Sequence, residues 1–285
     1  LVMLNSDGSV HLSKGDPTQL TYPRSTIKSI QTSAMIRSGL KLEPRLLALV
    51  SASHSGAEMH QKGALEILAS VGLGEKDLQN AKDKPLGESE RRAWGNQEPT
   101  RLAMNCSGKH AGMLATCVAA GWPTANYLDP AHPLQVAIKK ELENLTGEDV
   151  ALTSADGCGA PLFLISLFGL ARAMRAITIS TDPIHQSVVQ ACRDFPEMVA
   201  GENRLTTRLM REVPGLFMKE GAEGVEVATL ADGRTIVFKV SDGSIRPFET
   251  LMVAAFAEFG INVEDKTERI YGGSEAIGSI RACIT

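Results

Sequence analysis

A change of pattern along the chain most constrains the fold, because short apolar runs at both ends enclose a long stretch with helical spacing. The opening residues are typical of two strands around a turn at Asp7-Gly8, where glycine suits the positive φ of the turn. After Pro214 the pattern changes back to short apolar runs, at 215–219, 225–230 and 235–240. The pattern therefore predicts an α+β fold whose antiparallel sheet is built from both chain ends, with a helix-rich middle region.

Apolar residues recur at helical spacing through most of the segment between the predicted strands. Neither an internal repeat nor a flexible linker interrupts the sequence. Residues 1–285 are therefore expected to form a single domain. The predicted helices span 25–37, 60–71, 108–120, 133–145, 162–176, 185–194, 204–213 and 248–260.

The composition excludes several classes of protein. With 285 residues, of which 43% are hydrophobic, the chain is able to bury a substantial core. A formal net charge of −4, with Lys and Arg spread along the chain, argues against a polyanionic partner such as nucleic acid. No stretch approaches the roughly 20 apolar residues that span a bilayer, and the first residues lack the layout of a signal peptide. A soluble, cytoplasmic enzyme is expected, with no nucleic-acid or membrane partner.

The cysteines indicate a reducing compartment. Five cysteines are an odd number in a chain too large to need disulfide bonds, which favours free or metal-bound thiols. Cys117 and Cys192 fall inside apolar helical patterns and are typical of buried packing residues. Cys106 and Cys158 lie in glycine-containing segments with polar neighbours, so these two thiols are the candidates for chemistry.

A serine and a lysine stand three residues apart at the predicted start of a helix. The spacing places Ser25 and Lys28 on one helix face, as a serine nucleophile and a lysine base require. A lysine accepts a serine proton near neutral pH only when burial or another cation lowers its pKa. Alternatively, Ser25 only caps the helix. The same spacing recurs at Ser38 and Lys41, so spacing alone does not decide.

A cluster of uncharged polar residues, Ser51-Ala-Ser-His-Ser-Gly56, follows the apolar run 46–50. Ser53 is a candidate for a second hydroxyl that relays protons, and His54 for a group that orients a substrate amide. A plain polar loop before the next helix explains the same residues equally well. The spacing leaves both interpretations open.

A thiol, an amine and an imidazole lie close together in the segment Asn105-Cys-Ser-Gly-Lys-His110. Cys106 and Lys109 are three residues apart, so both can reach one metal ion, with Cys158 supplying another thiolate. Lysine is a rare ligand because its amine must first lose a proton. In the alternative interpretation, the helix start at Gly108-Lys109 binds an anion and Cys106 is inert.

Another lysine ends the predicted strand 215–219 and is followed by Glu220-Gly221-Ala222. The glycine allows backbone to approach a ligand closely. The charge of Lys219 would lower the pKa of a neighbouring lysine or polarise an oxyanion. Alternatively, Lys219 is a solvated charge on an edge strand.

In this order along the chain, the segments resemble the rhizobial-type L-asparaginases of the asparaginase II family, which is related in fold to serine β-lactamases and glutaminases. The resemblance covers nearly the whole chain and implies a β-lactamase/glutaminase-like fold. Its most specific element is Asn105-Cys-Ser-Gly-Lys-His-Ala-Gly-Met113. The supporting segments are 24–28, 53–54, 156–158, 196–202 and 219–224.

The resemblance implies roles for the reactive groups. Ser25 with Lys28 forms one serine/lysine pair, and Ser53 with Lys219 forms a second pair that faces the same pocket. Zinc binds beside the pocket, with water completing its coordination. The implied zinc ligands are Cys106, Lys109 and Cys158.

The resemblance also implies how the substrate is held. By analogy with the β-lactamase-like fold, the backbone N–H groups of Ser25 and Ala222 form an oxyanion hole, because Ala222 directly follows the lysine-x-glycine element. Arg24 and Asp156 are candidates for contacts with the α-carboxylate and α-amino groups, since both flank matched segments. Alternatively, Arg24 forms only a structural ion pair.

The implied activity is hydrolysis of L-asparagine to aspartate and ammonia through an acyl-enzyme on Ser25, with Lys28 taking the serine proton and zinc organising the pocket. A homodimer is also expected. Family members usually carry an upstream strand and an Arg-Ser-Gly motif, and this sequence begins after their expected place. Two rival functions stay open: a related serine acylase acting on glutamine or a peptide amide, and a non-enzymatic zinc-thiolate or redox-responsive protein.

Overall fold

The computed structural model describes residues 1–267 and 269–284. Its strands are β1 (Val2–Leu4), β2 (Val10–Ser13), β3 (Leu20–Thr21), β4 (Leu152–Ala155), β5 (Pro161–Ser166), β6 (Phe217–Gly221), β7 (Val225–Thr229), β8 (Thr235–Lys239), β9 (Arg269–Gly272) and β10 (Glu275–Ser279). Its helices are α1 (Lys28–Arg37), α2 (Pro44–Val50), α3 (Glu58–Ala69), α4 (Glu88–Trp94), α5 (Ser107–Ala120), α6 (Pro133–Thr146), α7 (Leu167–Ile179), α8 (Pro183–Asp194), α9 (Pro196–Val199), α10 (Leu205–Glu212) and α11 (Phe248–Glu258).

The predicted sheet from both chain ends is confirmed. Five antiparallel strands lie in the order β2-β1-β8-β7-β6. Val2 pairs with Val237, so the N-terminal hairpin is joined directly to the C-terminal strands. Every residue of β1 is fully buried, because helices cover the sheet. The fold is α+β, as the change of pattern predicts.

The predicted helix 162–176 is wrong in its first part. Residues Pro161–Ser166 form β5, and α7 begins only at Leu167. An unbroken apolar run carries no period that separates a buried strand from a buried helix. Ser166 then caps α7, since its hydroxyl accepts a hydrogen bond from the Gly169 N–H at 2.8 Å.

Helices α2, α4 and α9 and two small sheets lie outside the predicted elements. α2 has an apolar run without an amphipathic period, and α4 buries none of its residues, so neither shows the stripe that marks a helix. The other sheets are β3-β5-β4 and the hairpin β9-β10. The predicted helices matching α3, α5, α6, α8, α10 and α11 begin and end within two residues of the observed bounds.

Close packing of α5 against α2 positions the motif residues. A Cβ atom on Gly108 would lie 2.5 Å from the main-chain oxygen of Leu49, so only glycine allows this approach. The contact brings Cys106, at the N-terminus of α5, close to Ser53, which follows α2. Among the described residues, no helix is both long enough and apolar enough to cross a membrane.

Candidate active site

A cavity of roughly 460 Å³ opens beside β6, the edge strand of the five-stranded sheet. The outer backbone groups of an edge strand are not used by another strand of its sheet. Gly221 and Ala222 line the cavity from the β6 side, and Ser25 and Ser53 line it from the helical side. Both predicted serines therefore reach one cavity.

Ser53 lies between two buried lysines. Its Oγ atom is 2.8 Å from Nζ of Lys219 and 3.2 Å from Nζ of Lys28. Each lysine residue is only 1% exposed. Because a serine hydroxyl both donates and accepts hydrogen bonds, Ser53 is able to exchange protons with these amines. This geometry favours the proton-relay interpretation of Ser53 over a plain polar loop.

Lys219 has the property that a general base needs. Burial, reinforced by the positive charge of Lys28, lowers the pKa of Lys219 to about 7. Its Nζ atom also lies 2.7 Å from the main-chain oxygen of Glu220. A lysine with this pKa is partly a neutral amine at neutral pH, and a neutral amine accepts protons. The alternative of a solvated edge-strand charge does not match this buried position.

The amine of Lys28 is surrounded by three acceptors. Nζ donates to the main-chain oxygen of Ala52, to Ser53 Oγ, and to Cys106 Sγ at 3.0 Å. An ammonium group has three donors and no acceptor, so three acceptors match its charged form. Lys28 is therefore arranged to hold Ser53 in place and to supply positive charge.

Ser25 lies in a 3₁₀-helix, Arg24–Ile27, that runs directly into α1. The residue is 8% exposed and forms part of the cavity wall. Within the described part of the chain, none of the hydrogen bonds of Lys28 Nζ reaches Ser25. Catalytic hydrogen bonds are often long in a free enzyme and shorten when substrate binds. The pairing of Ser25 with Lys28 stays a prediction.

The proposed oxyanion donors lie at the cavity wall. Ala222 directly follows the last residue of β6, and Ser25 lines the same cavity. The N–H group of Ser25 falls in the first turn of its helix, where an N–H has no partner inside the helix. These positions suit the predicted oxyanion hole.

Arg24 and Asp156 form an ion pair with each other. Arg24 Nε lies 2.8 Å from Asp156 Oδ1, and Arg24 Nη1 lies 2.9 Å from Glu223 Oε2. Neither Arg24 nor Asp156 is among the residues that line the cavity. The geometry favours the alternative of a structural ion pair for Arg24, and the contact of Asp156 with substrate stays a prediction.

His54 is fully buried behind the cavity wall. The Gly56 N–H donates to Nδ1 at 3.1 Å, so Nε2 carries the ring proton and donates to Ser107 Oγ at 2.9 Å. The ring stacks on His60 with centroids 4.9 Å apart. Burial and then His60 lower the pKa of His54 well below its ordinary value. His54 braces the Ser53 loop against α5, and its contact with a substrate amide stays a prediction.

Two thiols and an amine meet in the interior. Cys106, Lys109 and Cys158 are 3%, 2% and 1% exposed, and Lys109 Nζ lies 3.2 Å from Cys158 Sγ. A hydrogen bond from Cys106 lowers the pKa of Cys158 well below its ordinary value, and the charge of Lys109 acts in the same direction. The same hydrogen bond, together with burial, raises the pKa of Cys106. Of the two thiols, Cys158 therefore loses its proton more readily.

The donor types of this cluster fit zinc. A zinc ion that binds one thiolate and one nitrogen holds them roughly 3.5 Å apart, close to the observed 3.2 Å between Lys109 and Cys158. His110 hydrogen-bonds to Cys158, and its Nδ1 atom lies 2.8 Å from the hydroxyl of Tyr127. Across residues 1–267 and 269–284, no three His, Cys, Asp or Glu residues are placed to hold a metal ion, so zinc would depend on Lys109.

Several polar residues of the cavity wall were not predicted from the sequence. Asn105, Arg204 and Glu220 line it together with the two serines. Glu220 lies inside the lysine-x-glycine element, and Arg204 closely follows the matched segment 196–202. Proximity to these segments was the only sequence feature that pointed to either residue. The cavity is also lined by five apolar side chains, those of Leu86, Leu205, Ile245, Phe248 and Ile280.

A family model described as L-asparaginase II matches residues 1–276 of the chain. No curated protein matches it at a significant level of similarity.

Proposed function

The chain belongs to the L-asparaginase II family, a family of amide hydrolases, and we propose that it hydrolyses L-asparagine to aspartate and ammonia through an acyl-enzyme on Ser25. The observation that carries the proposal is the convergence of Lys28 and Lys219 on Ser53 Oγ, at 3.2 and 2.8 Å, beside a cavity that Ser25 also lines. Two amines around one buried hydroxyl provide the proton transfers that serine acylation needs.

In the acylation step, Ser25 Oγ attacks the side-chain amide carbon of asparagine. The serine proton passes to Ser53 and from there to Lys219, whose pKa of about 7 suits a base. Lys28 holds Ser53 and stabilises the negative charge that develops on the intermediate. Lys28 was the base expected from the sequence, and the lowered pKa of Lys219 now favours Lys219 for this role.

The intermediate breaks down by reversing the proton path. The N–H groups of Ser25 and Ala222 hold the oxyanion until the C–N bond breaks. Lys219 returns its proton through Ser53 to the leaving nitrogen, which departs as ammonia. A water molecule then attacks the aspartyl ester and gives a proton to Lys219 by the same path. Lys219 returns that proton through Ser53 to Ser25 Oγ as the ester bond breaks, which releases aspartate and restores Ser25.

We further propose that Cys106, Lys109 and Cys158 hold zinc. Bound zinc would supply a fixed positive charge that organises this side of the pocket. The lowered pKa of Cys158 and the 3.2 Å distance between Lys109 Nζ and Cys158 Sγ support the assignment. Lys109 must release a proton to bind, and the neighbouring sulfurs, which outweigh the opposite effect of burial, raise its pKa. Zinc affinity should therefore fall as pH falls.

Ammonia release and acyl-enzyme trapping test the proposal together. The purified protein is expected to release ammonia from L-asparagine, and Ser25→Ala is expected to lose this activity by at least about a thousandfold. Intact-mass spectrometry after acid quench is expected to show an aspartyl adduct in the wild type and none in Ser25→Ala. Ser38→Ala is the matched control, because Ser38 repeats the spacing to a lysine at Lys41.

Unimpaired turnover by Ser25→Ala would contradict the nucleophile assignment. In that case Ser53 is the second candidate, because its hydroxyl bonds both lysines. An aspartyl adduct that persists in Ser25→Ala and disappears in Ser53→Ala would establish that alternative.

The cavity size favours testing a second substrate class. A cavity of roughly 460 Å³ that is lined partly by apolar side chains has room for more than asparagine, so glutamine and peptide amides belong in the same assay. Faster ammonia release from glutamine would assign the chain to that class. Zinc binding without turnover of any amide would instead support a non-enzymatic zinc-thiolate protein.

A further inference from the structure

An arginine and a glutamate form an ion pair at the serine end of the cavity. Arg204 Nη2 donates to Glu220 Oε1, and both side chains line the cavity with Ser25 and Ser53. Glu220 directly follows Lys219, and its main-chain oxygen accepts a hydrogen bond from Lys219 Nζ at 2.7 Å. The Arg204–Glu220 pair is therefore anchored next to the proposed base.

The two side chains are shielded but still reachable. Their exposed fractions are 22% for Arg204 and 15% for Glu220, so part of each faces the cavity. Glu226 lies directly across from Glu220 in the β6–β7 pairing and is buried. Burial and then Glu220 raise the pKa of Glu226 well above its ordinary value. The carboxyl group that pairs with Arg204 is therefore that of Glu220 and not that of Glu226.

The other charged residues of the cavity are less suited to bind a small zwitterion. Glu249 is paired with Arg208, and Lys266 is paired with Glu264 at 3.0 Å on the surface. Arg246 is exposed and lies on the wall next to the apolar Ile245. The Arg204–Glu220 pair combines both signs of charge, partial burial and contact with the lysine element.

We propose that Arg204 and Glu220 bind the charged end of an amino-acid substrate, Arg204 its α-carboxylate and Glu220 its α-ammonium group. The inference rests on the proposed amidohydrolase function of this site. A guanidinium group matches a carboxylate with two parallel hydrogen bonds. When a zwitterionic substrate binds, the Arg204–Glu220 ion pair is replaced by two ion pairs, one from each side chain to the substrate. Neither side chain is then left as an uncompensated buried charge. The pair thus selects free amino acids.

Truncated substrates separate this role from a structural one. L-asparagine is compared with succinamate, which lacks the amino group, and with 3-aminopropanamide, which lacks the carboxylate. Arg204→Gln is expected to lower kcat/KM for asparagine and succinamate on the order of tenfold to a hundredfold, with little change for 3-aminopropanamide. Glu220→Gln is expected to lower kcat/KM for asparagine and 3-aminopropanamide, with little change for succinamate. Arg45→Gln, which breaks the Arg45–Glu66 ion pair away from the cavity, is the matched control and is expected to change none of the three.

An equal loss on all three substrates, or no loss on any, would overturn the inference. Thermal unfolding checks that each variant is folded. If Arg204→Gln does not fold, Arg204→Lys takes its place, because it keeps the positive charge but not the guanidinium group that forms two parallel hydrogen bonds. The same three substrates are then compared.

Failure of the proposed function is recognised separately, as a wild type that releases no ammonia from asparagine. Calorimetric binding of L-aspartate then decides the inference without turnover. A dissociation constant at least about tenfold weaker in Arg204→Gln supports it. Equal binding by both proteins, or no binding by the wild type, overturns it.

Discussion

Arg24 and Glu223 form an ion pair of 2.9 Å, and both hold their backbone at positive φ, 51° and 58°. Arg24 directly precedes Ser25, and Glu223 directly follows Ala222, so the pair ties together the two proposed oxyanion donors. A non-glycine residue in this region costs on the order of 1–3 kcal/mol, which surrounding contacts must offset. Asp156 adds a second contact to Arg24, at 2.8 Å.

Backbone strain at Arg24 is tested by comparing Arg24→Ala with Arg24→Gly. Both variants lose the ion pairs, but only alanine keeps a Cβ atom at positive φ. Arg24→Gly is therefore expected to be more stable than Arg24→Ala by about 1 kcal/mol in urea denaturation. If Arg24→Ala is as stable as Arg24→Gly, or more stable, the backbone at this position is not strained.

The activity is expected to depend on the protonation of Lys219. Since a base must be neutral, kcat/KM should rise with pH through about 7, where Lys219 loses its proton. Lys219→Met should lower kcat by about 10²- to 10⁴-fold. Lys41→Met, in the repeated Ser/Lys spacing, is the control and should leave both the rate and the pH profile unchanged. A rate that is flat between about pH 6 and 8 would argue against Lys219 as base.

Stability should fall with rising pH because of Glu226. Its folded-state pKa is raised well above the ordinary value of 4.5, so above pH 4.5 the unfolded chain releases a proton that the folded chain keeps. The wild type is thus favoured at low pH and loses this advantage as pH rises. Glu226→Gln, which is neutral throughout, should gain stability relative to wild type from about pH 5 to pH 8. A constant difference across that range would mean that Glu226 does not stay protonated on folding.

Packing of α5 on α2 should be sensitive at Gly108. An added Cβ would meet the Leu49 main-chain oxygen at 2.5 Å and its Cγ atom at 2.6 Å. Gly108→Ala is expected to destabilise the fold by about 1–3 kcal/mol. Gly74→Ala is the control, because a Cβ atom added at Gly74 would have no heavy atom within 4 Å outside its chain neighbours. Equal midpoints of thermal unfolding for the two variants would contradict the tight contact.

Zinc binding should depend on the two interior thiols. After incubation with zinc and desalting, the protein is expected to retain about one ion per chain by elemental analysis. Cys158→Ser and Cys106→Ser should each weaken retention, whereas Cys283→Ser should not, because Cys283 is exposed and outside the cluster. If both Cys106→Ser and Cys158→Ser retain zinc as the wild type does, the metal binds elsewhere.

Spacing along the chain was enough to predict the sheet from both chain ends and most of the helices. These features depend on patterns over a few residues, which set side-chain direction along one element. β5 escaped this reasoning because a fully buried strand has no amphipathic period.

Which chemical groups meet depends on the tertiary structure. Ser53 lies 25 positions from Lys28 and 166 positions from Lys219, and packing of the helices beside β6 brings both amines to its hydroxyl. The pairing of Arg204 with Glu220 at the cavity wall arises in the same way. Contacts between distant segments depend on how whole elements pack, and spacing along the chain does not encode that packing. The lowered pKa of Lys219 follows from it, because burial beside a second lysine exists only in the folded protein.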